Sequence, residues 1–177
     1  MNVCNSFEIE LLHDLKNLIR CDFLDWFMPK ITLLGNYGIF WIVFAAVLLC
    51  FSKTRKIGLT MAIAFIFGLI TGNILLKPLI GRVRPYDFDP SIFLLIPPEH
   101  DFSFPSGHTM VSFEGAVSIF LYHKNLGTAA LLLASAIAFS RLYLMVHYPL
   151  DIIAGIILGS GLALTAYKLT KKIPNKI

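Results

Sequence analysis

Five apolar runs, each close to the length that crosses a bilayer, divide this chain and limit what it can fold into. They cover residues 31–51, 57–76, about 106–122, 126–145 and 149 to about 167. A helix of about 20 residues matches the roughly 30 Å thickness of the hydrocarbon layer. Glu114, Arg141 and Asp151 are the only charged residues in them. Composition agrees. The chain is 56% hydrophobic and 15% charged, with a mean hydropathy of +0.73, against roughly 25% charged in an average soluble domain. The pattern predicts an all-α integral membrane protein, one bundle with no internal repeat. Gly35, Asn36 and Gly38 weaken the start of the first run, so its regular part is expected from about Tyr37.

Ahead of the bundle, Phe7, Leu11, Leu15 and Leu18 recur at helical spacing among Glu8, Glu10, Asp14, Lys16 and Arg20. This predicts an N-terminal amphipathic helix on the membrane surface. Trp26 and Phe27, before Pro29-Lys30, read as an interfacial approach to the first span. The organisation is therefore an interfacial segment, residues 1–30, followed by a membrane domain, residues 31–177. No basic n-region precedes an apolar core, as a cleavable signal peptide would require. Cys4, Cys21 and Cys50 have no metal or redox spacing. Cys50 is expected to be a buried thiol, and a Cys4–Cys21 pair is the weaker alternative to free cysteines.

The net charge of +4 is modest and does not call for nucleic acid. Its placement matters more. Lys53, Arg55, Lys56, Lys124 and the lysines at 168, 171, 172 and 176 fall on one face of the predicted bundle. Basic loops mark the cytoplasmic side. The C-terminus is then cytoplasmic, in a multi-pass cell-membrane protein whose 77–104 connection and 146–148 turn face outward. Lys77, Arg82, Arg84 and Arg141 sit against this rule, and binding an anion is a task that would keep them there. Gly68 with Gly72, and Gly155 with Gly159, suit close packing between spans. They leave monomer or homodimer open.

Three clusters at span ends share the outer face. The first is Lys77 with Gly81-Arg82-Val83-Arg84-Pro85, where Pro78 and Pro85 are expected to prevent a regular helix. Lys77 offers a point charge and Arg84 a planar fork suited to two phosphate oxygens, although snorkelling side chains would look the same. The second is Phe104-Pro105-Ser106-Gly107-His108. Ser106 is a good N-cap, and Gly107 lets a backbone N–H approach an anion at the positive helix end. The third runs from Ser140-Arg141 to His147-Tyr148-Pro149-Leu150-Asp151. Pro149 suits the first helical position, with Tyr148 as N-cap and Asp151 in the first turn. His147, a partly exposed turn residue, then lies within reach of Asp151, whose carboxylate would fix the imidazole tautomer. Asp151 would also suit a helix N-terminus for electrostatic reasons alone. Taken together, three cations, a helix N-terminus and two histidines make a phosphate site.

These residues resemble the three-part signature of the type 2 phosphatidic acid phosphatase superfamily, which includes the vanadium haloperoxidases. The matching positions are Lys77, six intervening residues and Arg84-Pro85, then Pro105-Ser106-Gly107-His108, then Ser140-Arg141, His147 and Asp151. The resemblance covers residues from about 57 to 167 and implies five to six membrane helices, where the residues alone give five. It implies His147 as nucleophile through a phosphohistidine, Asp151 as its orienting carboxylate and His108 as general acid. Lys77, Arg84, Ser106, Gly107 and Arg141 would hold the phosphoryl oxygens, with no metal and no cofactor. Arg82 is not a signature position and is accessory.

A site at span ends suits a lipid phosphate or diphosphate, and the small size looks most like bacterial members acting on undecaprenyl diphosphate. Phosphatidylglycerol phosphate or phosphatidic acid is the alternative. Residues 91–98, apolar and too short to span, are expected at the interface or over the lipid chain; Glu99, His100 and Asp101 read as a solvated loop, or as residues that gate head groups. Two readings from other classes compete. One is a metal-dependent hydrolase using His100, His108, His147 and Asp151, although no compact ligand motif is present. The other is a lipid-binding or transport protein without turnover.

Overall fold

In the computed structural model the described residues are 2–173, with side-chain surroundings given from Asn5 onward. Lys176 and the side chain of Cys4, with any Cys4–Cys21 pair, lie outside the described residues. Helices and the connections between them make up the described residues, with no strand among them. Helix α1 is Asn2–Ile19, α2 Asp22–Thr32 and α3 Ile39–Cys50, with a 3-10 segment Leu33–Gly38 joining the last two. Helix α4, Arg55–Gly68, runs through π-turns at Leu69–Leu76 into α5, Lys77–Ile80, and a short α6 follows at Pro85–Phe88. The chain ends in α7, Gly107–Tyr122, α8, Lys124–Tyr143, and α9, Pro149–Lys171.

Among the described residues, four helical stretches are long and apolar enough to cross a membrane: Asp22–Cys50, Arg55–Phe88, Lys124–Tyr143 and Pro149–Lys171. Residues 22–30, expected as an interfacial approach, are therefore helical and run on toward the first span. The weak point anticipated near Gly35 is a real break. Tyr37 and Gly38 have φ of 51° and 68°, and Gly38 precedes the regular helix α3. Pro78 does not stop the next helix. The π-turns before it have already given up the i→i−4 ladder, and the Lys77 N–H reaches the Gly72 carbonyl. The stop is Gly81, which takes the left-handed C-cap at φ 59°.

Helix α7 has 16 residues, about 24 Å of rise, and forms the centre of the bundle. It packs against α4, α8 and α9. The small-residue pairs serve this packing. A Cβ on Gly159 would stand 2.4 Å from the Met110 carbonyl oxygen, and one on Gly155 would stand 3.0 Å from that of Ser106. Gly68 and Gly72 face Glu114 and Met110 of the same helix. The surrounding core includes Trp41, Met61, Ala116, Ile119, Ala134 and Ile137, and the Trp41 indole N–H donates to Ser112 Oγ at 3.0 Å.

The two ends of the bundle differ. At one, Lys53, Arg55 and Lys56 gather with His123 and Ile173, and Lys56 Nζ donates to the Ile173 carbonyl at 2.9 Å. At the other lie the starts of α7 and α9, the end of α8 and the 81–104 connection. Helix α1 packs there too, burying Asn5, Glu8, Ile9 and Leu12, while Phe7 is 67% and Leu18 83% exposed. The face toward the protein is thus not the predicted apolar stripe. His13 ties α1 to the connection through Asp89 at 2.9 Å. Part of residues 91–98 folds onto the protein, Ile92 packing with Ile9 and Leu12 and Leu94 to Ile96 with the 143–146 turn, while Phe93 is 73% exposed. Cys50, expected buried, is exposed, because the apolar run around it faces outward from the bundle.

Candidate active site

Helix ends build the site. Tyr148 caps α9 with extended backbone, and Pro149 takes the first turn, so Asp151 falls where its side chain turns back toward the preceding residues. Its Oδ2 accepts the Tyr148 N–H at 3.0 Å. Ser106 caps α7 with its own side chain, accepting from the Thr109 N–H at 3.4 Å and the Thr109 hydroxyl at 3.0 Å. Its own proton remains available to donate. The two helix starts are tied together by the Ser106 N–H, which donates to the Asp151 carbonyl at 3.2 Å. Gly107 faces Asn73 and Lys77: a Cβ there would stand 3.7 Å from Asn73 Oδ1 and 4.0 Å from Lys77 Nζ.

His147 lies between Asp151 and Arg84. Its Nδ1 is 3.4 Å from Asp151 Oδ2 and 3.3 Å from Ser103 Oγ. Ser103 in turn donates to Asp151 Oδ2 at 2.5 Å, so its oxygen is placed to accept the Nδ1 proton. With that proton held, the Nε2 lone pair points the other way, toward Arg84 Nη1 at 3.3 Å. The histidine is 1% exposed, not partly exposed, because Arg84 and Ser103 close over the turn. His108, in the first turn of α7, has Nε2 2.7 Å from Asn36 Oδ1. The carbonyl assignment of Asn36 makes Nε2 the donor, which leaves Nδ1 facing inward.

All eight residues singled out in the sequence come together, and two carboxylates of the 99–101 loop pair with their cations. Glu99 pairs with Arg84 at 2.6 Å and Arg141 at 2.5 Å, and stands 4.0 Å from His108 Nδ1. Asp101 pairs with Lys77 and, at 2.5 Å, with Arg84. Glu99 is drawn in by buried cations that need counter-charge, whereas Asp101 pairs with them from a side chain that is still 54% exposed. Burial raises the Asp101 carboxyl, but Lys77 and Arg84 outweigh it and bring it to about 2. Burial likewise opposes ionisation of Glu99, and Arg141 and Arg84 hold it below its ordinary value. Arg141 also donates to Thr32 Oγ1 at 2.8 Å, while its buried Nε has no partner among the described residues. Asn36, Thr32 and Ser103 were not anticipated. A polar residue inside an otherwise apolar run was the available signal for Asn36. His100, which a metal-site reading would enlist, is exposed.

A buried histidine aimed at a cluster of lysine and arginine, in a bundle of membrane helices, has a counterpart among known proteins. Residues 53–174 match the family pattern described as PAP2 superfamily. The chain belongs to the PAP2 superfamily. It is thus a membrane lipid phosphatase by family. It is 36% identical over 81% of its length to an undecaprenyl-diphosphatase of Sulfolobus acidocaldarius, of which the match covers 70%. It is 35% identical, over 82% of its length and 72% of the relative, to the bacitracin transport permease protein BcrC of Bacillus licheniformis. Among solved structures, the PAP2 type phosphatidylglycerolphosphate phosphatase of Bacillus subtilis superposes with a TM-score of 0.78 at 29% identity. That superposition covers 100% of this chain and 90% of the other.

Burial, followed by the neighbouring Arg84 and Arg141, holds the His147 imidazole well below its ordinary value, with Glu99 opposing and Lys77 reinforcing the shift. A lowered value means that the neutral, nucleophilic form persists as pH falls through 6.5. The acid limb of kcat/KM, corrected for ionisation of the substrate's own phosphate, is therefore expected well below the usual histidine range. A pH profile with its acid limb at 6.5 would show that His147 is not in this environment.

Proposed function

We propose that this PAP2 chain hydrolyses undecaprenyl diphosphate to undecaprenyl phosphate through a phosphohistidine at His147. The observation that carries the reading is the His147 ring itself, with Nδ1 toward Ser103 and Asp151 and Nε2 toward Arg84 among three buried cations. In the first step Nε2 attacks the terminal phosphorus in line. The bond from phosphorus to the bridging oxygen breaks as His108, which enters this step protonated on both ring nitrogens, gives that oxygen its Nδ1 proton. Lys77, Arg84, Arg141, the Ser106 hydroxyl and the Gly107 N–H hold the equatorial oxygens, where charge must be balanced. In the second step water, losing a proton to His108, attacks the phosphohistidine. Inorganic phosphate leaves and neutral His147 is restored. Dividing the transfer into two displacements lowers each barrier. An incoming phosphoryl group takes over the donors now paired with Asp101 and Glu99, which lie on a loop able to yield them.

The membrane arrangement belongs to the same proposal. Helix α7 and the four longer stretches cross the membrane. The basic end with Lys53, Arg55, Lys56 and Lys124 is cytoplasmic, and the site opens on the outer face. Helix α1 lies along that face with Phe7, Leu11 and Leu18 toward lipid, so residues 1–30 form the interfacial part. A phosphatidylglycerol phosphate substrate is the second reading, favoured by the superposition with the Bacillus subtilis enzyme over the whole of this chain.

The deciding experiment measures phosphate release by the purified protein in detergent with excess EDTA. Undecaprenyl diphosphate, phosphatidylglycerol phosphate and phosphatidic acid are compared at equal concentration. Undecaprenyl diphosphate is expected to give the highest kcat/KM, undiminished by the chelator. A preference for phosphatidylglycerol phosphate selects the second reading, loss of activity with EDTA selects a metal-dependent hydrolase, and no release from any lipid leaves binding or transport.

A further inference from the structure

Arg82 lies outside the residues that hold phosphate in this reading, yet it is 5% exposed and extensively bonded. Its Nη1 donates to Asp151 Oδ1 at 2.7 Å, the carboxylate oxygen opposite the one that meets Ser103 and His147. Its Nε and Nη2 donate to Asn5 Oδ1 at 3.1 and 2.7 Å, and Nη2 also pairs with Glu8 Oε2. The guanidinium lies over the Tyr148 ring, 3.8 Å from its centre. Glu8 does more than balance this charge. Its Oε1 accepts the Leu150 N–H at 2.8 Å, in the first turn of the helix that carries Asp151.

We propose that Arg82 and Glu8 are positioning residues for catalysis, through which helix α1 fixes the carboxylate that orients His147. The inference rests on the assignment of His147 and Asp151 above. Asp151 is fully buried, and a buried carboxylate keeps one orientation only if both oxygens are held. Ser103 and the Tyr148 N–H hold Oδ2, and Arg82 holds Oδ1. A bidentate, planar guanidinium can span Asp151 and Glu8 at once, whereas an ammonium is a single point of charge. The N-terminal helix is thereby part of the active site and not only an attachment to the membrane surface.

The test uses the full-length protein and undecaprenyl diphosphate. Arg82→Gln is expected to lower kcat by about tenfold to a hundredfold, the usual cost of losing a group that orients a site residue. KM and the inhibition constant of inorganic phosphate should stay within about twofold, because Arg82 does not touch the phosphoryl group. Arg82→Lys should recover part of kcat. Glu8→Gln, which keeps the shape and the acceptor for Leu150, should lower kcat in the same direction by less. Glu10→Gln, on the exposed face of the same helix, is the control and should match wild type. In the Asp151→Asn background, Arg82→Gln should cost nothing further, since both act through one carboxylate. The inference is overturned if the two losses multiply, if KM or phosphate inhibition changes while kcat holds, or if Glu8→Gln and Arg82→Lys both behave as wild type. Should Arg82→Gln fail to fold, the Lys and Glu8→Gln variants decide alone. Turnover that survives both His147→Ala and Asp151→Asn would instead overturn the underlying assignment, and the inference with it.

Discussion

His147→Ala is expected to reduce phosphate release by at least about 10⁴-fold, the scale seen when a covalent nucleophile is removed, on every lipid the wild type accepts. No neighbour can replace it. Ser103 is engaged with Asp151, and Asp151 is enclosed behind the ring it orients. Wild-type protein stopped during turnover should carry a phosphoryl group that is labile in acid and stable in base, and the variant should carry none. The substitution also affects the fold, since the imidazole is buried rather than partly exposed. Its lowered pKa makes wild-type stability depend on pH. Below 6.5 the unfolded chain binds a proton at His147 that the folded chain refuses, so stability falls as pH falls. His147→Ala lacks this contribution, and its melting temperature should change less between pH 7 and pH 5. A base-stable phosphoprotein in the variant would move the nucleophile elsewhere.

The residues legible in the sequence share one property: each sits where an apolar run ends. Lys77, Ser106, Arg141, His147 and Asp151 are polar groups at positions where the neighbours already specify a helix boundary. Local rules of capping and proline placement suffice to face them toward one another, as the Tyr148–Pro149 start of α9 does for Asp151. Glu99 and Asp101 were not legible because nothing local distinguishes their loop from a solvated one. Their place depends on the cations across the fold, which pull the carboxylates inward once three helices have assembled.

Helix α1 was legible as a helix with an outward apolar stripe, but the residues it turns to the protein were not. In a soluble protein the apolar stripe turns to the core, so Phe7, Leu11 and Leu18 would be inside. Beside a membrane an apolar stripe has a second apolar medium available, and periodicity does not say which one it meets. Here the side toward the protein is chosen by Glu8 and Asn5, which satisfy Arg82. The same ambiguity accounts for Cys50, an apolar-run residue facing out of the bundle.

Removing His108 should separate the two halves of the reaction. His108→Ala is expected to lower kcat for undecaprenyl diphosphate by about 10²- to 10⁴-fold, the usual contribution of a general acid. An aryl phosphate, whose leaving oxygen needs no proton, should lose much less in the first step. Its second step still needs a base to take the proton from water, so the phosphohistidine should accumulate during turnover of the aryl substrate. The geometry supports both roles for one ring. Asn36 holds Nε2 at 2.7 Å from its carbonyl oxygen, and Nδ1 looks toward Glu99, the carboxylate paired with Arg84 and Arg141. In the proposed mechanism a phosphoryl group held by those arginines would take its leaving oxygen toward Nδ1 and receive His147 Nε2 from beside Arg84. Asn36→Leu should reproduce part of the loss by freeing the ring to turn. Equal losses on both substrates, with no trapped intermediate, would deny His108 the acid role and leave it a phosphate-binding group alone.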